Sequence, residues 1–301
     1  MLLVDGFFHG FDGDASVDAG TVEPMAGNTR KTGAEQYYTP ASLASSLVDM
    51  VLPHLSRDPQ NMCWVEPAGG TGAFCDVFAT RGWQLSAVDI EPKHGSVRKA
   101  NFLSTPLPEG PLAVVSNPPF GRCNSLSVPF FNHAASVNTD VIAFIVPKSW
   151  RKWSVINRLH PNFWCVHDHD LNVGYVGDDG SPLSTSSSLN TVFQVWQRRD
   201  VSREKIVIPD LGYVMKTKNP TDADVALTVF GRGCGTVRTV FEDEPKTTQM
   251  YLKLNADRFD QVLDALNTVD FSRFFTNVAY TEALSLVEIN ALLNEAIPAQ
   301  S

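Results

Sequence analysis

Short apolar segments alternate with helical segments through the first 200 residues of the chain. MCWVE, QLSAVD, PLAVVS and DVIAFIV are apolar and partly β-branched, which is typical of buried strands. CDVFATRG and SVPFFNHAASV, which lie between them, carry apolar residues at helical spacing. This alternation predicts an α/β fold, in which helices cover both faces of a mostly parallel sheet.

The pattern changes twice along the chain. NFWCVHDHDL and TVFQVWQRR are separated by a Gly- and Ser-rich segment, which predicts an antiparallel hairpin at the edge of the sheet. Later, VALTVFGRGCGTVRTVFEDE and QMYLKL favour antiparallel strands, while ADRFDQVLDALNTV and SLVEINALLNEA favour helices. We therefore expect a flexible leader at residues 1–30, an α/β domain at residues 31–200 and a small α+β subdomain at residues 201–301.

Composition places the chain among globular proteins. It has 301 residues, of which 43% are hydrophobic, enough for a large core. No apolar segment approaches the roughly 20 residues that cross a bilayer, and the start of the chain lacks the features of a signal peptide, so we expect a soluble, cytoplasmic protein. The five cysteines form no CxxC pair, which predicts reduced thiols rather than a disulfide framework or a zinc site.

The net charge of -9 does not by itself exclude a nucleic-acid partner. Phosphates attract Lys and Arg, so an acidic surface would disfavour such a partner. Part of the acidic excess, however, lies in the Gly-rich leader. The acids concerned are Asp5, Asp12, Asp14, Asp18 and Glu23.

A Gly-rich turn, EPAGGTGAF, follows the first predicted strand of the α/β domain. It matches neither G-x-G-x-x-G nor a phosphate loop, which disfavours a pyrophosphate ligand. Glu66, at the start of the turn, would repel a phosphate but can pair with an ammonium group, and Asp89, at the end of the next strand, is placed to accept hydrogen bonds from ribose hydroxyls. S-adenosylmethionine has both groups and no phosphate. The alternative is a tight turn flanked by solvated acids.

The segment NPPF, at residues 117–120, predicts a rigid corner at the end of a later strand. The side-chain oxygen of Asn117 and the carbonyl oxygen of Pro118 can each accept a hydrogen bond from an N–H group of an amine. Phe120 offers a ring face on which a base can stack. A conjugated amine is a poor nucleophile, because its lone pair is delocalised into the ring. Such acceptors can draw it toward the geometry that methyl transfer needs.

EQYYTP, EPAGGTGAF, VDIEP and NPPF follow one another in the order seen in the gamma class of adenine amino-methyltransferases, which the chain resembles over roughly residues 30–200. The resemblance implies a Rossmann-like class I methyltransferase fold with a mostly parallel seven-stranded sheet, plus the small α+β subdomain. It also implies S-adenosylmethionine as cofactor and methyl transfer to the N6 amine of adenine, with DNA favoured over RNA.

The same resemblance assigns residues to the site. The catalytic motif is Asn117, Pro118, Pro119 and Phe120. The assigned cofactor contacts are Tyr38, Thr39, Pro40, Glu66, Pro67, Ala68, Gly69, Gly70, Gly72, Phe74, Asp89, Ile90, Asn101 and Phe102. The family often has Asp where this chain has Asn101.

Other activities remain open at this stage. Glutamine methyltransferases that modify release factors need the same acceptors, although Phe120 and QYYTP favour adenine. A non-catalytic, cofactor-binding partner subunit is a further alternative. The short C-terminal segment leaves room for a solitary phage- or virus-like enzyme of loose DNA specificity, or for an RNA adenosine substrate.

Three polar clusters suggest ligands. Lys148, Trp150, Arg151 and Lys152 interleave cations with aromatic rings, which suits phosphates and unstacked bases; alternatively the tryptophans pack on the sheet. In HDHD, His167 and His169 are expected to share one strand face with Cys165, opposite Asp168 and Asp170, and we expect no metal there. GRGCGTVR is either a nucleic-acid contact or a tight β-turn.

Overall fold

The computed structural model describes residues 28–29, 35–171 and 189–298. Most of the predicted leader and the Gly- and Ser-rich segment at residues 172–188 lie outside the described residues. The strands are β1 (Asn28–Thr29), β2 (Glu35–Gln36), β3 (Cys63–Glu66), β4 (Gln84–Asp89), β5 (Arg98–Lys99), β6 (Leu112–Ser116), β7 (Thr139–Pro147), β8 (Phe163–Leu171), β9 (Thr191–Arg198), β10 (Val214–Thr217), β11 (Val225–Thr228), β12 (Val237–Arg238) and β13 (Gln249–Leu254).

Seven α-helices and several single 3-10 turns accompany these strands in the described residues. The helices are α1 (Ala41–Val51), α2 (Ala73–Thr80), α3 (Ser127–Ala135), α4 (Trp153–Ile156), α5 (Phe259–Thr268), α6 (Ser272–Phe275) and α7 (Leu286–Ala296). The 3-10 turns are Leu52–His54, Pro59–Asn61, Phe102–Ser104, Arg122–Asn124, Lys148–Arg151, Pro220–Asp222 and Ala256–Arg258.

The main sheet has seven strands in the order β5-β4-β3-β6-β7-β9-β8. The five strands from β3 to β7 pair in parallel, whereas β9 runs antiparallel to both β7 and β8. The predicted α/β fold, with its mostly parallel seven-stranded sheet and its antiparallel edge hairpin, is confirmed. The chain reverses its winding direction between β3 and β6, and in open α/β sheets ligands bind outside the carboxyl ends of the strands at such a switch point.

Helices cover both faces of the main sheet, as predicted. On one face, α1 and α2 bury Leu47 and Phe78 against Val115 of β6. On the other face, α3 buries Phe131 against Phe144 of β7. Because these side chains are fully buried, the strand ends that carry the polar motifs are held on a rigid base.

A second sheet follows, with the antiparallel order β10-β13-β11-β12. Helices α5 and α7 pack against it through Val262, Leu266 and Ile289, so it has its own apolar core. We call residues 214–298 the C-terminal unit. The exact domain boundary near residue 200 stays a prediction.

A β-bulge in β8 corrects one prediction about HDHD. Cys165 pairs with Trp196 and His167 pairs with the adjacent Val195, so Val166 is an extra residue in the strand. Side chains alternate between the two faces of a strand, so one inserted residue reverses the faces of the residues that follow it relative to those that precede it. Cys165 therefore lies on the face of the aspartates rather than on the face of the histidines, whose two rings stack with centroids 6.2 Å apart.

Two features are absent from the described part of the chain. No group of three or more His, Cys, Asp or Glu side chains there is arranged to hold a metal ion. Within the same residues, no helix has both the length and the apolar character needed to cross a membrane.

Candidate active site

A cleft of about 610 Å³, including its open mouth, lies at the carboxyl ends of β3, β4 and β6. It brings together residues of all four motifs, which lie up to 83 positions apart in the sequence. The lining residues are Tyr37, Tyr38, Thr39, Glu66, Ala68, Gly69, Gly70, Thr71, Ala73, Phe74, Asp89, Asn117, Pro118, Pro119 and Phe120.

The Gly-rich turn is fastened to the neighbouring strand β4. The amide of Gly69 donates to the carbonyl of Val88 at 3.0 Å, and the amide of Gly70 donates to Oδ2 of Asp89, also at 3.0 Å. Gly70 has a φ of +44°, and a Cβ there would lie 2.8 Å from the Tyr38 ring. Only glycine suits both this backbone and this contact.

Asp89 is buried at the end of β4, where backbone amides orient its carboxylate. Besides the bond from Gly70, its Oδ1 accepts from the amide of Glu91 at 2.8 Å. A carboxylate has about four acceptor sites. The carboxylate can therefore also accept hydrogen bonds from the two hydroxyls of a diol. At the same time Asp89 holds the Gly-rich turn in place.

Glu66, at the end of β3, is almost fully buried, at 2% exposure, and lines the same cleft. Its Oε1 accepts from the Ser116 hydroxyl at 2.5 Å and from the Ala68 amide at 3.0 Å. Burial outweighs these bonds and raises the pKa of Glu66 to about 8. Near neutral pH Glu66 is therefore largely protonated, and a cationic ligand beside it would favour its ionised form.

The Asn117 side chain is oriented by the segment EQYYTP. Its Nδ2 donates to the carbonyl of Tyr37 at 2.7 Å and to the hydroxyl of Thr39 at 3.3 Å. Both amide hydrogens are thereby used, and no described residue donates to Oδ1. Since Asn117 lines the cleft, its oxygen is left as an acceptor for a ligand.

Two aromatic rings in the cleft are nearly parallel. The rings of Tyr37 and Phe120 have centroids 6.3 Å apart and an interplanar angle of 19°. A flat ligand that lies parallel to one ring is therefore parallel to the other. Such an arrangement suits a planar base.

An unusual turn follows Phe120. Gly121, Cys123 and Asn124 all have positive φ, at +66°, +52° and +61°, and two of them are not glycine. The side-chain amide of Asn124 donates to the Ser149 hydroxyl at 3.1 Å, and the Phe120 carbonyl accepts from the backbone amides of Leu126 and Ser127 at the start of α3. These bonds hold the end of NPPF in place.

Six of the predicted cofactor contacts do not line the cleft. Pro40 precedes α1, Pro67 is buried directly after β3, and Gly72 is the N-cap of α2 with a φ of +90°. Their positions assign them to the scaffold that shapes the turn and the helices.

The other three lie around the end of β4 and the turn that follows β5. Ile90 is 49% exposed, Asn101 caps a 3-10 turn by accepting from the Leu103 amide, and Phe102 packs in the core against Phe130. The Asn101 oxygen is thus already engaged.

The predicted substrate-binding residues are largely paired with acids. Lys148 Nζ lies 2.8 Å from Asp170 Oδ2, and Arg151 makes ion pairs with both Asp168 and Asp170. The aspartates of HDHD thus offset two cations of the cluster. These ion pairs are partly exposed to solvent, so they contribute little to the stability of the fold.

Trp150 and Lys152 have interior partners. Trp150 is fully buried, and its indole N–H donates to the Ser127 hydroxyl at 3.3 Å. This placement fits the alternative in which the tryptophan packs on the sheet, and it leaves no ring face for a base. Lys152 pairs with the buried Glu288 of the C-terminal unit, with 3.1 Å between Nζ and Oε1.

Sequence reasoning did not select Tyr37, Thr71 or Ala73, which also line the cleft. Thr71 and Ala73 lie inside the Gly-rich motif EPAGGTGAF, so the motif itself could have predicted that they line the cleft. Tyr37 lies in EQYYTP, where two adjacent tyrosines give no indication of which one faces the ligand.

The strand order, with an antiparallel strand inserted beside the edge strand, and the Gly-rich turn at the switch point define a Rossmann-like fold of the class I methyltransferase type. No protein-family model matches the sequence, and a comparison with curated proteins found no match.

Solved structures with some similarity to the chain include a proposed RNA methyltransferase of Pyrococcus horikoshii, which is 17% identical and covers 57% of this chain and 92% of that one with a TM-score of 0.44. A 23S rRNA methyltransferase, ErmE, is 13% identical over 57% of this chain and 73% of its own, with a TM-score of 0.40. A proposed class I S-adenosylmethionine-dependent methyltransferase of Listeria monocytogenes is 14% identical over 56% of this chain and 64% of its own, with a TM-score of 0.39. Similarity this low says nothing about substrate.

Proposed function

We propose that the protein transfers a methyl group from S-adenosylmethionine to the exocyclic N6 amine of adenine in nucleic acid, with DNA favoured over RNA. The observation that carries this proposal is the orientation of Asn117. Its two amide hydrogens are engaged by Tyr37 and Thr39, so its oxygen is presented to the cleft beside Phe120.

The residues of the cleft fit the cofactor. Glu66 supplies a buried carboxyl group for the ammonium, and Asp89 supplies an oriented carboxylate for the ribose hydroxyls. The tight turn at Gly69 and Gly70 lets the backbone approach the ligand. When bound, S-adenosylmethionine supplies an electrophilic methyl group on a sulfonium.

The chain's own residues act on the amine. Asn117 Oδ1 and the carbonyl oxygen of Pro118 accept hydrogen bonds from the two N–H groups of the amine. These bonds direct the nitrogen lone pair out of the ring plane. Phe120 stacks on the base, and Pro119 keeps the corner rigid. Transfer of the methyl group from the sulfonium to the amine so held would leave the nitrogen cationic, and the nitrogen would then release one proton to water, so no strong base is required.

The first test is methyl transfer by the full-length protein. Labelled S-adenosylmethionine would be offered with double-stranded DNA, single-stranded DNA, RNA and a release-factor protein, and modified nucleosides or residues identified by mass spectrometry. We expect N6-methyladenine, with DNA the preferred polymer. Label on RNA alone would reassign the polymer, and label on glutamine alone would overturn the proposal.

Substitution of Asn117 tests the carrying observation. We expect Asn117→Ala to lower kcat by about 100-fold or more, because the amine loses an oriented acceptor, while cofactor affinity by calorimetry changes little. Asn267→Ala is the matched control, since Asn267 bonds only to the Leu263 carbonyl on the exposed surface of α5. Normal kcat in Asn117→Ala would place the chemistry elsewhere.

A further inference from the structure

The C-terminal unit is fixed at the carboxyl edge of the main sheet. Lys152 pairs with Glu288, the Trp153 and Phe274 rings lie 5.1 Å apart, and the Asn190 amide donates to the Ala279 carbonyl at 2.8 Å. These three contacts involve residues of the main domain that lie just after β7 or just before β9. The segment at residues 274–288 therefore lies beside the end of the sheet that forms the cleft.

The chain around Tyr280 is held on both sides. Before it, the Ala279 carbonyl accepts from Asn190, and after it, the Glu282 carbonyl accepts from the Gly231 amide at 2.9 Å. Ala283 forms a β-bridge with Phe230. A residue anchored this way presents its side chain from a defined backbone position.

From this position Tyr280 reaches the cleft. Its hydroxyl lies 3.1 Å from the hydroxyl of Tyr37, which is 243 positions away in the sequence. Tyr37 lines the cleft, its carbonyl orients Asn117, and its ring is nearly parallel to Phe120. Tyr37 thus forms a hydrogen bond to Asn117 of NPPF through its backbone carbonyl and a second one to Tyr280 of the C-terminal unit through its ring hydroxyl.

We propose that Tyr280 is a positioning residue for the substrate base: it holds the Tyr37 ring parallel to Phe120, so that the C-terminal unit completes the aromatic part of the base site. This inference rests on the proposed function, since it assumes that the ligand lying against these two rings is a nucleobase. It gives the C-terminal unit a role in base capture that is separate from reading sequence.

Removal of either hydroxyl tests the contact. In Tyr280→Phe and in Tyr37→Phe the rings stay but the bond between them is lost, so we expect KM for the nucleic acid to rise about 3- to 10-fold, the worth of one hydrogen bond. The Kd of the cofactor should stay unchanged. Because both variants lose the bond between the two hydroxyls, the rise in the double variant should be smaller than the product of the two single-variant rises.

A stacking readout separates positioning from a general structural role. With 2-aminopurine in place of the adenine that the wild type methylates, we expect weaker fluorescence quenching in Tyr280→Phe than in the wild type. Tyr213→Phe is the matched control, because Tyr213 lies just before β10 and its hydroxyl accepts from Arg258 of the C-terminal unit. That variant should keep the wild-type KM and quenching.

The outcomes distinguish the two proposals. A wild type that methylates no adenine would overturn the proposed function and this inference with it. An active wild type with unchanged KM and quenching in both tyrosine variants would overturn this inference alone. Independent effects that multiply in the double variant would also overturn it, since the two hydroxyls would then act separately.

Discussion

At the level of single residues, Glu66 is held in a protonation state that a ligand would change. Burial raises its pKa to about 8, against the bonds from Ser116 and Ala68 that favour the carboxylate. An ammonium group placed beside it would lower this pKa, because the opposite charge stabilises the ionised form. Cofactor binding and proton release are therefore coupled at this residue.

We expect binding of S-adenosylmethionine at pH 7 to release somewhat less than one proton. Affinity should fall as pH is lowered from 7.5 to 6, by up to about tenfold per pH unit, because the carboxyl group must lose its proton to pair with the ammonium. Calorimetry in two buffers of different ionisation enthalpy measures the release. Glu66→Gln should bind more weakly and release no proton, and a wild type that releases none would contradict the assignment.

The same shift predicts how the ligand-free protein responds to pH. The folded state binds the Glu66 proton more tightly than the unfolded state, whose pKa is near 4.5, so this residue's contribution to stability falls as pH rises from about 4.5 to 8. Glu66→Gln lacks this decline. Its free energy of unfolding relative to the wild type should rise between pH 5 and pH 8, on the order of 3 kcal/mol, as measured by denaturant unfolding.

At the level of elements, the Gly-rich turn is shaped by contacts on both sides. Asp89 holds it from β4, and the Tyr38 ring packs against it from EQYYTP. The strands and helices that flank the turn were predictable, because their apolar periodicity is local. The two-residue strand β5 and the strand β10 were not predicted, since such short segments carry too little pattern.

We expect Gly70→Ala to weaken cofactor binding by about tenfold or more and to destabilise the fold by about 1–2 kcal/mol. An alanine at this position would have to keep a backbone φ of +44°, and its Cβ would displace the Tyr38 ring. Gly82→Ala is the matched control, because its φ is +69° but a Cβ there meets nothing within 4 Å. Equal effects of the two variants on cofactor affinity would show that the ring contact is irrelevant.

At the level of the whole molecule, the segment PKSWRKW joins the two parts of the protein. Lys152 is 19% exposed and its partner Glu288 is 4% exposed, in side-chain terms. Glu288 also accepts from the Ser285 amide at the start of α7. The pair thus links the region after β7 to the helix of the C-terminal unit, and removal of one charge leaves the other buried.

We expect Lys152→Met to lower the free energy of unfolding by about 2 kcal/mol, with little change in KM for nucleic acid or in its salt dependence. Lys205→Met is the control for an exposed lysine that no described residue partners. Unchanged stability together with a higher KM and a weaker salt dependence would instead assign Lys152 to a phosphate contact.

The sequence alone determined which segments form the sheet and its covering helices, and it placed Glu66, Asp89 and Asn117 at strand ends that meet at one edge. It could do so because side-chain periodicity and turn chemistry are local, and parallel strands align their carboxyl ends. Only the tertiary structure decided which charges are neutralised and that Tyr37 meets Tyr280. Those outcomes depend on packing between segments far apart in the chain, which no local pattern encodes.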